Sequence, residues 1–244
     1  MLIVGGDILT NLHLQQDMAG EFQGMKVLVT GGAGFIGSNI CDALLEKGAE
    51  VVCLDNFITG RRINLHHLEN NQYFKLIEGD IRDYSTCEDA VFGCTHVCHQ
   101  AALGSVPRSI EDPITTNAIN ISGTLNIMVA AQKEGIKRFV FASSSSVYGD
   151  EATMPKIEQR TGFPLSPYAT TKVVNELYSK VFSTVHGMEC IGLRYFNIFG
   201  RRQDPEGAYA AVIPKFVDSI IKKEQPLIYG DGEQSRDFTY IENV

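Results

Sequence analysis

The sequence predicts an α/β fold: a doubly wound parallel sheet with an incomplete small C-terminal lobe. Three observations lead to this prediction. Short apolar runs alternate with segments of helical spacing, a pattern typical of βαβ units with right-handed crossovers. A glycine-rich turn follows the first of these runs. After residue 196 the alternation stops, and a loop, a helix, a short strand and another loop follow up to Val244.

The predicted strands are short runs rich in β-branched and aromatic residues. In chain order they are KVLVT, AEVVCLD, YFKLIEGD, THVCHQAA, RFVFASSS and MECIGLRYF. Helices are predicted for SNICDALLEKG, which ends at Gly48, and for residues 113–134 and 167–186. These elements divide the chain into an N-terminal extension (1–24), a main domain (25–196) and a partial lobe (197–244).

Composition excludes several classes of protein. The 244 residues include 44% apolar and 20% charged residues, which is typical of a globular chain. The net charge of −8 argues against sequence-independent binding of nucleic acid, which depends on basic contacts to phosphates. No apolar run is long enough to span a membrane, and Asp7 interrupts the apolar start MLIVGG. We therefore expect a cytoplasmic protein without membrane or nucleic-acid partners.

The six cysteines show no regular spacing, so we expect reduced thiols. Cys94, His96, Cys98 and His99 lie close together and raise the alternative of a zinc site. A second ligand pair at suitable spacing is missing, and free cysteine is among the most buried residue types. We interpret this segment as a buried strand and expect no metal.

The glycine-rich turn predicts a dinucleotide site. Gly31, Gly34 and Gly37 lie between a strand and a helix, where missing Cβ atoms allow a diphosphate to approach free N–H groups. Asp55 ends the next strand and is suited to accept both ribose hydroxyls. Its charge repels a 2′-phosphate, which favours NAD over NADP. Asp80 ends the third strand and either receives the adenine amine or caps a helix.

Tyr168 and Lys172 are four residues apart on a predicted helix, so both lie on one face. An ammonium group near a phenol favours the phenolate, and the charge of an oxidised nicotinamide adds to this effect. Tyr168 is therefore a candidate general base. Ser144 ends a predicted strand, where its hydroxyl can bridge a substrate oxygen and the tyrosine.

From Met25 to Val244 the sequence resembles the extended short-chain dehydrogenase/reductase family. The motifs TGGAGFIG, LDNF, EGDIRD, SSSVYGD, YxxxK and LRYFNIFG occur in the order typical of that family. The longer strings HQAALGSVPRSIEDP, LRYFNIFGRRQDPEGAYAAVIPKF and GDGEQSRDFTYIENV are similar to bacterial members that epimerise UDP-N-acetylglucosamine at C4. The resemblance implies a Rossmann fold, the cofactor NAD and a UDP-sugar substrate.

The resemblance also implies roles for individual residues. Ser144, Tyr168 and Lys172 match the catalytic triad, and Asn120 matches an asparagine that supports the tyrosine and lysine. The cofactor-binding set is Gly31, Gly34, Phe35, Ile36, Gly37, Asp55, Asn56, Asp80, Ile81, Gln100, Ala102, Asn120, Tyr168, Lys172, Tyr195 and Phe196. The substrate-binding set is Gly104, Ser105, Ser144, Ser145, Asn197, Ala211, Val212, Leu227, Tyr229 and Arg236.

Two departures from related enzymes bear on the reaction. Ser145 and Ser146 stand where sugar-nucleotide dehydratases have an Asp-Glu pair, and the decarboxylases keep the glutamate. Only oxidation at C4 and re-reduction remain, which implies a 4-epimerase. Gly104 replaces a lysine of hexose-only epimerases and leaves room for an acetamido group, while a neutral hexose or a uronic acid stays open.

Two alternatives remain, because the family normally continues beyond the position of Val244. One is a catalytically inert NAD-binding fragment. The other is a nucleotide-sugar dehydratase or a dehydrogenase that releases its keto product. Helices 113–134 and 167–186 resemble the pair that forms the family's dimer interface, so we expect a homodimer.

Overall fold

The computed structural model describes residues 20–204, 212–228 and 230–244. Its main sheet is built from six parallel strands: β1 (Lys26–Thr30), β2 (Glu50–Asp55), β3 (Phe74–Glu78), β4 (His96–His99), β5 (Arg138–Ser144) and β6 (Glu189–Tyr195). The strand order is β3-β2-β1-β4-β5-β6. The direction of winding reverses between β1 and β4, and this switch point opens a crevice at the carboxyl ends of the strands. The predicted doubly wound sheet is confirmed.

Helices connect the strands on both faces of the sheet. They are α1 (Phe35–Glu46), α2 (Tyr84–Val91), α3 (Val106–Glu111), α4 (Pro113–Asn117), α5 (Thr124–Glu134) and α6 (Pro167–His186). Short 3₁₀ turns span Arg62–Asn64, His66–Leu68 and Ser145–Tyr148. The helix predicted for 113–134 is interrupted by a π-helical turn at Ala118–Gly123. Such turns are frequent at functional sites.

Two apolar clusters form the core, one on each face of the sheet. One cluster joins α2, α5 and α6 to the sheet through large side chains such as Phe139, Phe141 and Ile127. The other joins α1 and the 3₁₀ turns to the opposite face, with Leu65 and Leu68 among its members. Both faces of the sheet are therefore covered, as an all-parallel sheet requires.

The chain before β1 is not entirely outside this core. Phe22 packs against the cluster on the α1 face, and its N–H donates to the carbonyl of Lys47 at 3.1 Å. The expectation that the whole of residues 1–24 is a separate extension is therefore wrong for Phe22. Its aromatic ring gains burial against α1. Residues 1–19 lie outside the described part of the chain.

A second, two-stranded parallel sheet follows the main one. It pairs β7 (Asn197–Phe199) with β8 (Phe238–Tyr240). Helix α7 (Val212–Lys222) lies between them in sequence, and none of its residues is buried. A 3₁₀ turn at Ile241–Asn243 follows β8, and Ile241 is buried. No helix within the described ranges is both long and apolar enough to cross a membrane.

Candidate active site

A cavity of about 500 Å³ lies at the carboxyl ends of the strands, where β1 and β4 meet. Most of the residues predicted from the sequence line it: Gly31, Gly34, Phe35, Ile36, Gly37, Asp55, Asn56, Ile81, Gln100, Ala102, Gly104, Ser144, Ser145, Tyr168, Lys172, Tyr195, Phe196 and Asn197. The fold therefore brings together residues from distant positions in the chain. Their roles in binding and catalysis remain predictions.

The glycine-rich turn is closely packed and leaves helix α1 uncapped. Gly31 has φ +68°, and a Cβ there would lie 2.7 Å from the backbone nitrogen of Ala101. A Cβ on Gly37 would overlap the carbonyl oxygen of Gly31. Gly34 precedes α1 without a side-chain cap, and the first turn contains no acidic residue. The N–H groups in the first turn of α1 are thus available to an anion such as a diphosphate.

Asp55 lies buried at the end of β2, beside this turn. Its carboxylate accepts hydrogen bonds from the backbone N–H groups of Ala33 at 2.9 Å and Phe57 at 2.8 Å. Burial raises the pKa of Asp55 above its usual value, and the two backbone hydrogen bonds oppose that rise. Each carboxylate oxygen keeps a lone pair for a ribose hydroxyl. The site therefore fits the adenosine half of NAD.

Asp80 does not line the cavity, although its neighbours Gly79 and Ile81 do. Its carboxylate accepts from the Arg82 side chain at 2.6 and 3.0 Å and from Asn56 at 2.8 Å. The Arg82 hydrogen bonds hold its pKa at about 2. Arg82 and Asn56 thus engage the carboxylate, and its predicted bond to the adenine amine stays a prediction. The alternative, in which Asp80 caps a helix, is wrong, because Asp83 is the N-cap of α2.

Helix α6 places Tyr168 and Lys172 in the cavity. Ser166 caps the helix by accepting from the N–H of Ala169, and the N–H of Tyr168 donates to Ser109 Oγ at 3.1 Å. Lys172 Nζ donates to the carbonyl of Ala142 on β5 at 2.7 Å. Burial lowers the pKa of Lys172 to about 8. The lysine is still largely protonated at neutral pH.

The pKa of Tyr168 is raised rather than lowered in the chain alone. Burial is the cause, and a hydrogen bond to Ser144 opposes it. Lys172 Nζ is 5.8 Å from the centre of the phenol ring and is bonded to a backbone carbonyl. The lysine therefore does not outweigh the desolvation of the phenolate. The charge of an oxidised nicotinamide, the other charge expected to favour the phenolate, would add to that of the lysine when the cofactor is bound.

Asn120 lies behind the cavity rather than in its wall. It is fully buried in the π-helical turn. Its side chain accepts from the N–H of Leu103 at 2.8 Å and donates to Thr171 Oγ1 at 3.2 Å. Direct cofactor binding by Asn120 stays a prediction, while the role of supporting α6 agrees with these hydrogen bonds. The asparagine connects the loop after β4 to α6 between the tyrosine and the lysine.

The histidine-cysteine segment forms strand β4, as predicted. His99 is buried, with Nδ1 2.7 Å from Thr30 Oγ1 and Nε2 2.9 Å from Thr124 Oγ1. Burial lowers its pKa to about 3, so the ring is neutral. Among the described residues no group suited to a metal ion is found. The six cysteines, all within the described part, form no disulfide.

The predicted substrate residues divide into two groups. Gly104, Ser144, Ser145 and Asn197 line the cavity, and a Cβ added to Gly104 would meet no atom within 4 Å. Four others do not line it: Ser105, Val212, Leu227 and Arg236. Ala211 and Tyr229 lie outside the described residues.

The four residues fail to reach the cavity for different reasons. Ser105 uses its hydroxyl to cap α3, where it accepts from the N–H of Arg108. Val212, on α7, and Leu227, in the segment after it, are exposed. Arg236 is exposed and donates to the carbonyl of Ser235. Binding of a substrate by these four side chains therefore stays a prediction.

Sequence reasoning missed parts of the wall and its support. Ile58, Thr59 and Gln203 line the cavity, yet no motif marked them. Glu176 lies one turn beyond Lys172 and pairs with Arg194 on β6, with N–O distances of 2.8 and 2.9 Å. The spacing of 168, 172 and 176 on one helix face is the signal that would have identified Glu176.

The fold and the site together define a dinucleotide-dependent enzyme whose cavity contains a serine, a tyrosine and a lysine side by side. The chain belongs to the NAD dependent epimerase/dehydratase family, whose model matches residues 27–244. The predicted family and the cofactor NAD are confirmed.

Three relatives illustrate the similarity. The UDP-N-acetylglucosamine 4-epimerase from Methanobrevibacter ruminantium M1, solved with UDP-N-acetylmuramic acid, is 44% identical with a TM-score of 0.87 and covers 91% of this chain and 70% of its own. The UDP-glucose 4-epimerase of Mycolicibacterium smegmatis is 38% identical over 90% of this chain and 71% of its own. The UDP-glucose 4-epimerase of Thermus thermophilus, solved with NAD, is 38% identical with a TM-score of 0.79 and covers 89% of this chain and 71% of its own.

Proposed function

We propose that the chain catalyses the NAD-dependent 4-epimerisation of UDP-N-acetylglucosamine and UDP-N-acetylgalactosamine through a transient 4-keto sugar. The observation that supports this most is the convergence of Ser144, Tyr168 and Lys172 on one cavity with the dinucleotide turn. The names of the three relatives above support a UDP-sugar as the substrate class.

The cavity favours epimerisation over elimination or decarboxylation. Ser145 lines it. Dehydratases have an acidic residue at this position and at the next, whereas this chain has Ser145 and Ser146. The hydroxyls of Ser144 and Ser145 offer hydrogen bonds but no strong acid. A 4-keto sugar held here would therefore be re-reduced instead of losing water.

Three side chains carry the proton chemistry in this proposal. Tyr168 takes the proton of the sugar 4-hydroxyl as general base and later returns it to the carbonyl oxygen. Ser144, hydrogen-bonded to Tyr168, positions that oxygen. Lys172 lines the same cavity, and its ammonium group is fixed by the hydrogen bond to the carbonyl of Ala142. NAD, which the glycine-rich turn and Asp55 would hold, would supply the hydride acceptor and donor for C4 when bound.

The first test is proton NMR of UDP-N-acetylglucosamine mixed with the purified chain without added cofactor. Appearance of UDP-N-acetylgalactosamine would establish the reaction and the retention of NAD. A keto product in its place would indicate a dehydratase or dehydrogenase.

A second candidate function is an inert NAD-binding fragment. The exposure of Val212, Leu227 and Arg236 favours it, because these side chains do not reach the cavity. In that case no product forms, whereas NAD is still released when the protein is denatured. The same experiment therefore separates the two functions.

Gly104 is proposed as the residue that admits an acetamido group. It lines the cavity, and the space beside its Cα is open. The variant Gly104→Lys fills this space with a charged side chain, whereas Gly104→Ala adds only a methyl group. We expect the lysine variant to lose activity on acetamido sugars relative to UDP-glucose, measured as the ratio of kcat/KM values. An unchanged ratio would contradict this role.

We further propose that the main domain ends at residue 196 and that the partial lobe begins at residue 197.

We also propose that the chain forms a homodimer. Helix α6 presents apolar side chains to solvent, with Leu177 59% and Val185 67% exposed. Ile114 on α4 is 81% exposed. A symmetric contact through these helices would cover this surface. A cytoplasmic location remains a prediction from composition and reduced thiols.

A further inference from the structure

A cluster of polar and charged side chains lies on the back of helix α1, away from the cavity. Asp42 is buried, and its Oδ2 accepts from Arg202 at 2.7 Å. Its other oxygen, Oδ1, lies 2.7 Å from His67 Nε2. Arg201 Nη2 is 3.6 Å from Oδ2. None of these residues lines the cavity, so the reaction scheme does not use them.

A second residue of α1 holds the same segment. Asn39 Oδ1 accepts from Arg201 Nε at 2.6 Å. Its amide nitrogen donates to the carbonyl oxygens of Arg201 at 3.2 Å and Phe35 at 2.8 Å. Phe35 is the first residue of α1, directly after Gly34 of the dinucleotide turn. Asn39 thus contacts both the start of the helix and the segment after β7.

The segment held by these contacts carries one wall of the cavity. Asn197, Ile198 and Gln203 line it. Gln203 Nε2 donates to the carbonyl of Ile198 at 3.1 Å, which closes the segment into a compact turn. Arg202 adopts a left-handed conformation with φ +69°, which is unfavourable for a non-glycine residue. The bond to Asp42 compensates for this strain.

We propose that Asp42 and Asn39 are positioning residues that couple the dinucleotide turn to the cavity wall formed by Asn197, Ile198 and Gln203. Binding of NAD to the N-terminal turn of α1 restrains the helix. Asp42 and Asn39 transmit this restraint to the segment after β7, so that the wall becomes ordered when the cofactor is present. The coupling does not depend on which sugar the cavity accepts.

The test compares hydrogen exchange of residues 197–204 in NAD-free and NAD-loaded protein. In the wild type we expect NAD to slow exchange in this segment by about tenfold. In Asp42→Asn, which keeps the shape but removes the charge, we expect a change of less than about twofold. Lys47→Met is the matched control, because Lys47 sits just past the other end of α1 and pairs with exposed Glu21. It should behave like the wild type.

A second variant and a second probe keep the outcome clear. If Asp42→Asn does not fold, Asn39→Ala supplies the same comparison. Calorimetry with UDP as the probe should show about tenfold tighter binding with NAD than without it in the wild type, and equal binding in the variants. Protection by NAD that is undiminished in both variants would overturn the coupling. A wild type that binds no UDP would count against the proposed function, while the exchange data would still decide the coupling.

Discussion

At the scale of single residues, burial shifts the pKa values of the two titratable candidates for catalysis, Tyr168 and Lys172. Tyr168 and Lys172 both lie within the cavity wall, away from bulk water, which penalises the phenolate and the ammonium alike. Only the hydrogen bond from Ser144 favours the phenolate. In the proposed reaction, the positive charge of bound NAD would therefore be the further influence that favours the phenolate.

Replacement of Tyr168 by phenylalanine removes the proposed base and keeps the ring. We expect turnover to fall by about 10²–10⁴-fold, the range typical for loss of general base catalysis. NAD content after purification should stay unchanged, because the aromatic ring remains in place. The assay is the NMR conversion described above, with NAD measured after denaturation. Near-normal turnover of Tyr168→Phe would disprove the assignment.

The lowered pKa of Lys172 predicts that the stability of the fold depends on pH. Its pKa is about 8 in the folded chain against 10.5 as the ordinary value. Between about pH 8 and 10 the unfolded chain binds more protons at this residue, so stability rises with pH. The free energy of unfolding of the wild type should increase relative to Lys172→Met by up to about 1.4 kcal/mol per pH unit. If urea unfolding gave parallel pH profiles for the wild type and Lys172→Met, the lowered pKa of Lys172 would be contradicted.

At the scale of secondary-structure elements, Glu176 connects three of them. It lies on α6, pairs with Arg194 on β6 and accepts a hydrogen bond from Ser143 on β5. Burial raises the pKa of Glu176, but the hydrogen bonds from Arg194 and Ser143 outweigh it and the net shift is downward. Ser143 directly precedes Ser144, and Tyr195 directly follows Arg194. The carboxylate thus helps to align the walls of the cavity.

The role of Glu176 can be tested by the variant Glu176→Gln, with Glu189→Gln as the matched control. Arg138 on β5 and Glu189 on β6 form an exposed ion pair at the opposite end of the strands. We expect Glu176→Gln to lower the free energy of unfolding by about 1–3 kcal/mol. Glu189→Gln should cost less than about 1 kcal/mol. Denaturant unfolding and NAD titration measure both effects, and equal losses in the two variants would refute the special role of Glu176.

At the scale of the whole molecule, the distribution of exposed apolar surface is uneven. Leu177, Val181 and Val185 form a stripe along α6, and Ile220 and Ile221 lie exposed on α7. Exposed apolar stripes of this kind indicate interaction surfaces. For α6, the proposed partner is a second copy of the chain.

The dimer can be tested with one charged substitution in this stripe. Leu177→Glu places a carboxylate within the proposed interface, where a symmetric contact would bring two of them together. We expect the mass in solution, measured by light scattering, to fall from dimer to monomer while NAD binding persists. Lys180→Glu, on the same helix, is the control for a change of charge. A monomeric wild type would rule the interface out.

The sequence alone determined the sheet, the dinucleotide turn and the cofactor. Apolar periodicity and the spacing of Gly31, Gly34 and Gly37 are local properties, because backbone geometry links them directly to strand, turn and helix. Ser144 and Tyr168 could be predicted as neighbours because both lie at element ends on the same edge of a parallel sheet.

The tertiary structure decided what depends on distant partners. It assigned Asp80 to Arg82, placed Asn120 behind the wall and raised the pKa of Tyr168. Hydrogen-bond competition and desolvation depend on the surroundings of each group, and those surroundings exist only once the chain has folded.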